Sequence, residues 1–255
     1  MKVKKISSIF LIFILAVLFA SPGQAEDLTG EEIMTRVDEN QFIAAARLEA
    51  EMKIIDRDRE RVKEMIMYVE SDGEVSNGLV EFINPRDRGT KYLLLDDRLW
   101  MHFPDAEDLV PISGHMLREG LMGSDFSYQD ALESEQLTRL YQFEKLGRTE
   151  INERQVYEIE GVAHPDQEPA YHNRKFWVDV ERFVVLREEM YARDGRLLKV
   201  METEKVEEVQ EERWMATAMI MEDQLREDSR TIYRILEIDL DYEIPPGKIS
   251  LETLQ

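Results

Sequence analysis

The side chains that could do chemistry are few and scattered. There are four histidines, His102, His115, His164 and His172. His164 and His172 bracket Asp166 and Glu168 in one loop, a conceivable set of metal ligands, but their spacing matches no standard zinc site and ordinary loop polarity accounts for it better. Cysteine is absent, which removes the thiolate nucleophile and the thiolate ligand together. The chain has no G-x-S-x-G elbow, phosphate-binding loop, dinucleotide fingerprint or H-E-x-x-H pair. Its 54 acidic residues are so widely spread that sequence selects no acid/base pair among them. The expectation is a protein that binds rather than catalyses, without metal or cofactor.

Two polar residues stand out. Asp125 lies in Gly123-Ser124-Asp125-Phe126-Ser127-Tyr128, where its carboxylate either orients a lid or meets a partner, or with Ser124 and Ser127 satisfies backbone donors at a turn and helix start. Arg234 falls in step with Ile232, Leu236 and Ile238. Pointing inward it would need carboxylate or carbonyl partners and could gate a cavity from beneath a lid; a bulge would turn it outward. Gly123, Ser124, Asp125, Phe126, Tyr128 and Arg234 are the lid and gating candidates.

The remaining candidates are apolar. Leu48, Met52, Ile54, Met65, Met67, Leu99, Met101 and Phe103 fall on alternating strand positions and would line a pocket for flexible, greasy cargo, methionine being suited to repacking. Each acyl methylene buried there contributes roughly 0.8 kcal/mol, so no polar key is required. The same side chains serve equally as core beneath a helix.

The elements that must position these residues follow from periodicity. Leu28 to Asn40 reads as a helix, with Thr29 and Glu32 as capping box and Leu28 and Ile33 as hydrophobic staple. From Arg47 the period becomes two, and about twelve strands follow in meander order. They are interrupted only between Pro111 and Leu140, a connection too long for a meander turn and typical of a lid. Within it, Ser127 and Asp130 form a second capping box, predicting a short helix from about Tyr128 to Ser134. So many strands must curl strongly or close to manage their edges.

Residues 1–25 carry a lysine-rich start, an apolar run of about 12 residues and a small-residue exit, the pattern of a secretory signal peptide cleaved after Ala25. The run is short of the roughly 20 residues needed to span a bilayer. Cleavage takes away three lysines and no acids, moving the formal charge from −22 to −25, which disfavours nucleic acid and anionic headgroups. With no linker composition in between, residues 26–255 are expected to form a single domain.

The run RGTKYLLLDDRLWMHFP, followed by GLMGSDFSYQDAL, resembles the bacterial outer-membrane lipoprotein-sorting family, relatives of the periplasmic carrier LolA. The resemblance covers nearly all of the mature chain. It implies a mainly β (α+β) fold: a strongly curved, incomplete antiparallel β-barrel of about 11–12 strands, with the N-terminal helix and a short lid helix covering its concave face. It also implies a soluble periplasmic carrier without stable membrane insertion. Such a carrier would take acyl chains of lipoprotein or lipid from an inner-membrane donor or exporter and pass them to an outer-membrane acceptor. The alternative is a non-enzymatic accessory or sensor module that binds an envelope protein through the same fold.

Overall fold

A computed structural model describes residues 28–73, 75–105, 108–134 and 137–254. The expected leader, residues 1–25, lies outside them.

The chain begins with α1 (Gly30–Gln41), started by the Thr29–Glu32 capping box: Glu32 N donates to Thr29 Oγ1 at 3.2 Å and Thr29 N to Glu32 Oε2 at 2.8 Å. Six strands follow: β1 (Ala45–Asp56), β2 (Arg59–Ser71), β3 (Ser76–Phe82), β4 (Lys91–Leu95), β5 (Arg98–His102) and β6 (Val110–Ile112). Next comes a connection with 3-10 turns at Gly114–Arg118 and Leu121–Gly123, then α2 (Tyr128–Glu133) and α3 (Leu137–Leu140). Seven more strands complete the sheet: β7 (Tyr141–Ile151), β8 (Arg154–Ala163), β9 (Asn173–Asp179), β10 (Val185–Tyr191), β11 (Leu197–Gln210), β12 (Arg213–Asp223) and β13 (Ser229–Asp239). A last turn, α4 (Leu251–Leu254), ends the described chain.

All thirteen strands belong to one antiparallel sheet in the order β6-β5-β4-β3-β2-β1-β13-β12-β11-β10-β9-β8-β7. Two meanders are therefore joined along β1 and β13, and β6 and β7 remain as edges, so the barrel is incomplete. The strand beyond the expected twelve is β6, three residues centred on Pro111, too short for periodicity to reveal.

Each edge is blunted differently. The β6 edge is short and carries a proline, which has no N–H to offer another strand. The β7 edge is covered by α1: Phe143 N donates to Glu31 Oε1 at 2.8 Å, and Lys145 Nζ donates to Leu28 O at 2.5 Å. The approach is close enough that a Cβ on Gly30 would lie 2.7 Å from the Phe143 carbonyl oxygen, so only glycine fits there. Ile33, Met34 and Val37 of α1 pack with Tyr157, Ile159 and Phe176 into the core of the second meander.

The tail after β13 does not close an edge. Ile249 and Leu254 pack with Tyr68, Leu79 and Leu93, and Lys248 lies over the Tyr68 ring while pairing with Glu81 at 2.8 Å. The tail thus covers the outer face of β2–β4. Leu254 is fully buried in this contact. Leu254→Ala is expected to lower stability by about 2 kcal/mol, toward the lower end of core truncations because the single turn of α4 can relax, and urea unfolding measures it.

Candidate functional site

The concave face of β1–β5 carries the side chains expected to line a pocket. Met52, Ile54, Met65, Met67, Leu99 and Met101 come together in one cluster with Ala50, Phe82 and Tyr92. Leu48 points to the same face from β1 but packs one step along it, with Ile43, Ala46 and Ile238. Phe103 does not join them. It follows the last residue of β5 and is 38% exposed, because the strand ends at His102 and Pro104 redirects the chain.

The segment between β6 and α3 lies over this face as a lid. Met116, Leu117, Leu121, Met122, Phe126 and Tyr128 pack directly on the strand side chains, so the interior is filled by the protein itself. Locally the lid is a tight reversal. Leu121 N donates to Phe126 O at 2.7 Å, Gly120 bridges Ser127, and Met122 and Gly123 take positive φ at the tip. A Cβ on Gly120 would lie 2.2 Å from Ser124 O, so the reversal requires glycine there. Ser124 Oγ donates to Phe126 O at 3.1 Å, and Gly123 O accepts from Arg61 Nη2 at 3.2 Å.

Under the lid the polar contacts join tyrosine hydroxyls to one another and to methionine sulfur. The Tyr92 and Tyr128 hydroxyls lie 3.0 Å apart, with Tyr92 also 3.1 Å from Met122 Sδ. The Tyr233 hydroxyl meets Met67 Sδ at 3.3 Å, and burial pushes this phenol up to about 12. Burial, then the neighbouring Tyr128, raises Tyr92 too. These hydroxyls stay neutral throughout the ordinary pH range.

Strong contacts sit at two anchor points. At the first, buried Asp125 accepts from Ser229 Oγ at 2.5 Å and Thr231 Oγ1 at 2.6 Å, its amide donates to Thr231 Oγ1 at 2.9 Å, and Arg226 Nη1 lies 3.4 Å away. These contacts tie the segment at Asp125 to Ser229 and Thr231 of β13, not to the turn and helix-start amides around it. At the second, Asp130 of α2 accepts from Lys199 Nζ at 2.7 Å, Tyr171 OH at 2.6 Å and Ser127 N at 2.7 Å. Burial alone would raise Asp130, but Lys199 and these donors outweigh it and hold the carboxyl below the usual range. One turn on, Glu133 Oε1 accepts from Ala170 N at 2.8 Å and Gln129 Nε2 at 2.7 Å, and burial raises this acid.

Behind them Arg174 is buried beside Glu188, to which its Nε donates, and it packs against the rings of Tyr141, Tyr171 and Phe176. This charged cluster was not expected from the sequence. Its two ion pairs, Arg174 with Glu188 and Lys199 with Asp130, join residues 14 and 69 positions apart, and only Asp130 carried a local signal, as part of the capping box.

Arg234 is not a gate. It pairs in register with Glu51 on the outer face, at 3.3 Å, with Glu204 at 3.6 Å, and is on the side away from the lid. A bulge between Ile235 and Glu237 reverses the alternation of β13, so Tyr233 and Ile235 face inward while Ile232 and Arg234 face out.

Among the described residues, crevices open to solvent. One of about 740 Å³ lies at the β1–β2 and β12–β13 turns, lined by Arg57, Asp58, Glu222, Arg226 and Arg230; another, about 240 Å³, is lined by Arg36, Glu39, Arg182 and Glu212. Neither is lined by the methionine cluster. Among the described residues no three acidic, histidine or cysteine side chains form a group that could hold a metal ion, and no helix is long and apolar enough to cross a membrane.

A family model described as "Uncharacterized protein" matches residues 74–255. No curated protein matches the chain. Among solved structures, a DUF1329 family protein from Desulfovibrio piger is 24% identical with a TM-score of 0.82, covering 89% of this chain and 98% of that one. A domain named for outer membrane lipoprotein sorting, from Vibrio parahaemolyticus, is 22% identical with a TM-score of 0.77, covering 88% and 97%. A LolA superfamily protein from Nitrosomonas europaea is 20% identical with a TM-score of 0.72, covering 89% and 99%. These likenesses establish the curved, incomplete-barrel fold.

Two outcomes follow from the anchors. Asp125→Ala leaves two buried hydroxyls without their acceptor, at a cost of about 1–3 kcal/mol, and is expected to speed hydrogen exchange at residues 120–127 while β1 and β13 stay protected. Glu133 has a folded pKa above its ordinary 4.5, so its ionisation weakens the fold as pH rises beyond that value. The stability difference between Glu133→Gln and the parent is therefore expected to grow in favour of glutamine from about pH 4 to about pH 7.5, measured by urea unfolding at each pH.

Proposed function

The chain belongs to the family matched over residues 74–255 and has the LolA-like fold, and from that premise we propose that it is a periplasmic carrier of acylated cargo. In this reading residues 1–25 are removed after export and residues 26–255 act as one half-barrel domain. The cargo, lipoprotein or lipid, is taken from an inner-membrane donor and released to an outer-membrane acceptor without covalent chemistry.

The observation that carries the reading is the composition of the interface between lid and sheet. Met52, Met65, Met67 and Met101 from the sheet face Met116 and Met122 from the lid, flexible side chains that repack at little cost. The lid is held mainly at Asp125 and Asp130, so a change at two anchors releases the whole apolar face. Acyl methylenes at roughly 0.8 kcal/mol each then replace the contacts the lid gives up. Met52, Ile54, Met65, Met67, Leu99 and Met101 would line the chain, with Leu48 further along the face.

A second reading is favoured by the filled interior: the same fold serves as an accessory module that binds an envelope protein, with the methionine cluster as plain core. Native mass spectrometry of protein purified from the periplasm without detergent, followed by lipid extraction, separates the two. A bound mass of acyl-chain size, lost in a folded Met101→Asp variant, is the expected result. An empty protein that also refuses added lipids and acylated peptides, yet captures a membrane protein in a salt-sensitive manner, supports the accessory reading.

A further inference from the structure

The lid is amphiphilic along its length. From Met116 to Phe126 it supplies apolar side chains to the cluster on β1–β5, and a turn later it supplies Asp130 and Glu133 to the charged cluster on β9–β11. Phe126 connects the two regions, packing both with the methionine cluster and with Tyr171, Met190 and Met221. An apolar body followed by an anionic end is also the layout of an acyl chain with an acidic head.

The receiving pocket has a matching imbalance. With α2 in place, Asp130, Glu133 and Glu188 face Arg174 and Lys199. Without α2, two cations face the single carboxylate of Glu188, beside the Tyr171 hydroxyl and the Tyr141 and Phe176 rings. Positive charge left without its carboxylate partners in so enclosed a place is costly, so withdrawal of the lid leaves a site that favours another anion. Arg174 also keeps an unused donor: its Nη1 is buried and makes no hydrogen bond, and Glu133 Oε2 likewise has none.

We propose that the lid is an internal stand-in for the cargo, and that the cargo is an amphiphile with an anionic carboxylate or phosphate head. The head takes the place of Asp130 on Lys199 and Tyr171, and the chain takes the place of Met116, Met122 and Phe126. This inference rests on the carrier reading and adds the headgroup class to it.

The test uses the intact mature chain and three probes with the same sixteen-carbon tail: palmitate, hexadecyl phosphate and neutral monopalmitoylglycerol, titrated calorimetrically below their aggregation limits. At least one anionic probe is expected to bind at least about tenfold tighter than the neutral one, the discrimination a single charge-assisted hydrogen bond supplies, and which one it is distinguishes carboxylate from phosphate. Lys199→Gln is expected to remove that preference while leaving the neutral probe bound as well as before or better, because the lid latch is weaker. Asp130→Asn, checked for folding by circular dichroism, is expected to strengthen the anionic probe more than the neutral one, since Lys199 then lacks its resident carboxylate. Equal binding of all three probes, or a preference that survives Lys199→Gln, overturns the headgroup assignment and leaves the carrier reading standing. Binding of none overturns the carrier reading itself.

Discussion

A long antiparallel sheet that curls without closing has an apolar hollow and two open edges, and neither can be left to water or to another strand. The rest of this molecule answers that constraint. A three-residue strand with a proline ends one edge, and α1 lies along the other with Glu31 accepting a strand amide. The C-terminal tail covers the outer face of β2–β4, leaving α1 and the lid to fill the hollow from within.

The two inner covers are built differently. At α1, Gly30 lets the backbones approach closely, and aliphatic and aromatic side chains interlock around Phe176. The lid interface is made of unbranched methionines and of tyrosine hydroxyls, two of which, on Tyr92 and Tyr233, meet methionine sulfur, a weak acceptor. Its specific contacts are concentrated at Asp125 and at the α2 carboxylates. An even, interlocked interface resists partial opening, whereas an adaptable one held at two points can detach as a unit. In the proposed carrier, that difference would make the lid, and not α1, the removable cover.

Local chemistry was legible in the sequence; long-range chemistry was not. Both capping boxes, the alternation of Ala46 to Ile54 and the long connection after Pro111 announce themselves because each is decided within a few residues. The phase of β13 was not announced, because one extra residue near Leu236 reverses every side chain before it, and the isoleucines on both faces hide the change. Phe103 failed for a related reason: alternation says nothing about where a strand stops. The ion pairs of Asp130 with Lys199 and of Arg174 with Glu188 depend on which strands become neighbours in the sheet, and the abundance of acidic residues gave no basis for singling these out.

The charge distribution divides the work between surface and interior. A chain with formal charge −22 is repelled by anionic membrane surfaces over about a Debye length, which in the proposed carrier would discourage loading by casual contact with lipid and favour a receptor that presents basic groups. On the proposed reading, the head of the cargo would be selected elsewhere, in the buried cluster where Lys199 and Arg174 meet carboxylates. Because the lid already occupies this cluster and the methionine face, any cargo is bound only by the difference between its contacts and those of the lid, and the apparent affinity falls by the fraction of time the lid is open. A carrier must also let go. In the proposed carrier, a competing ligand held on a tether would supply a force for release at an acceptor, and Asp125, which bonds β13 without touching the charged cluster, would set how strong that force is.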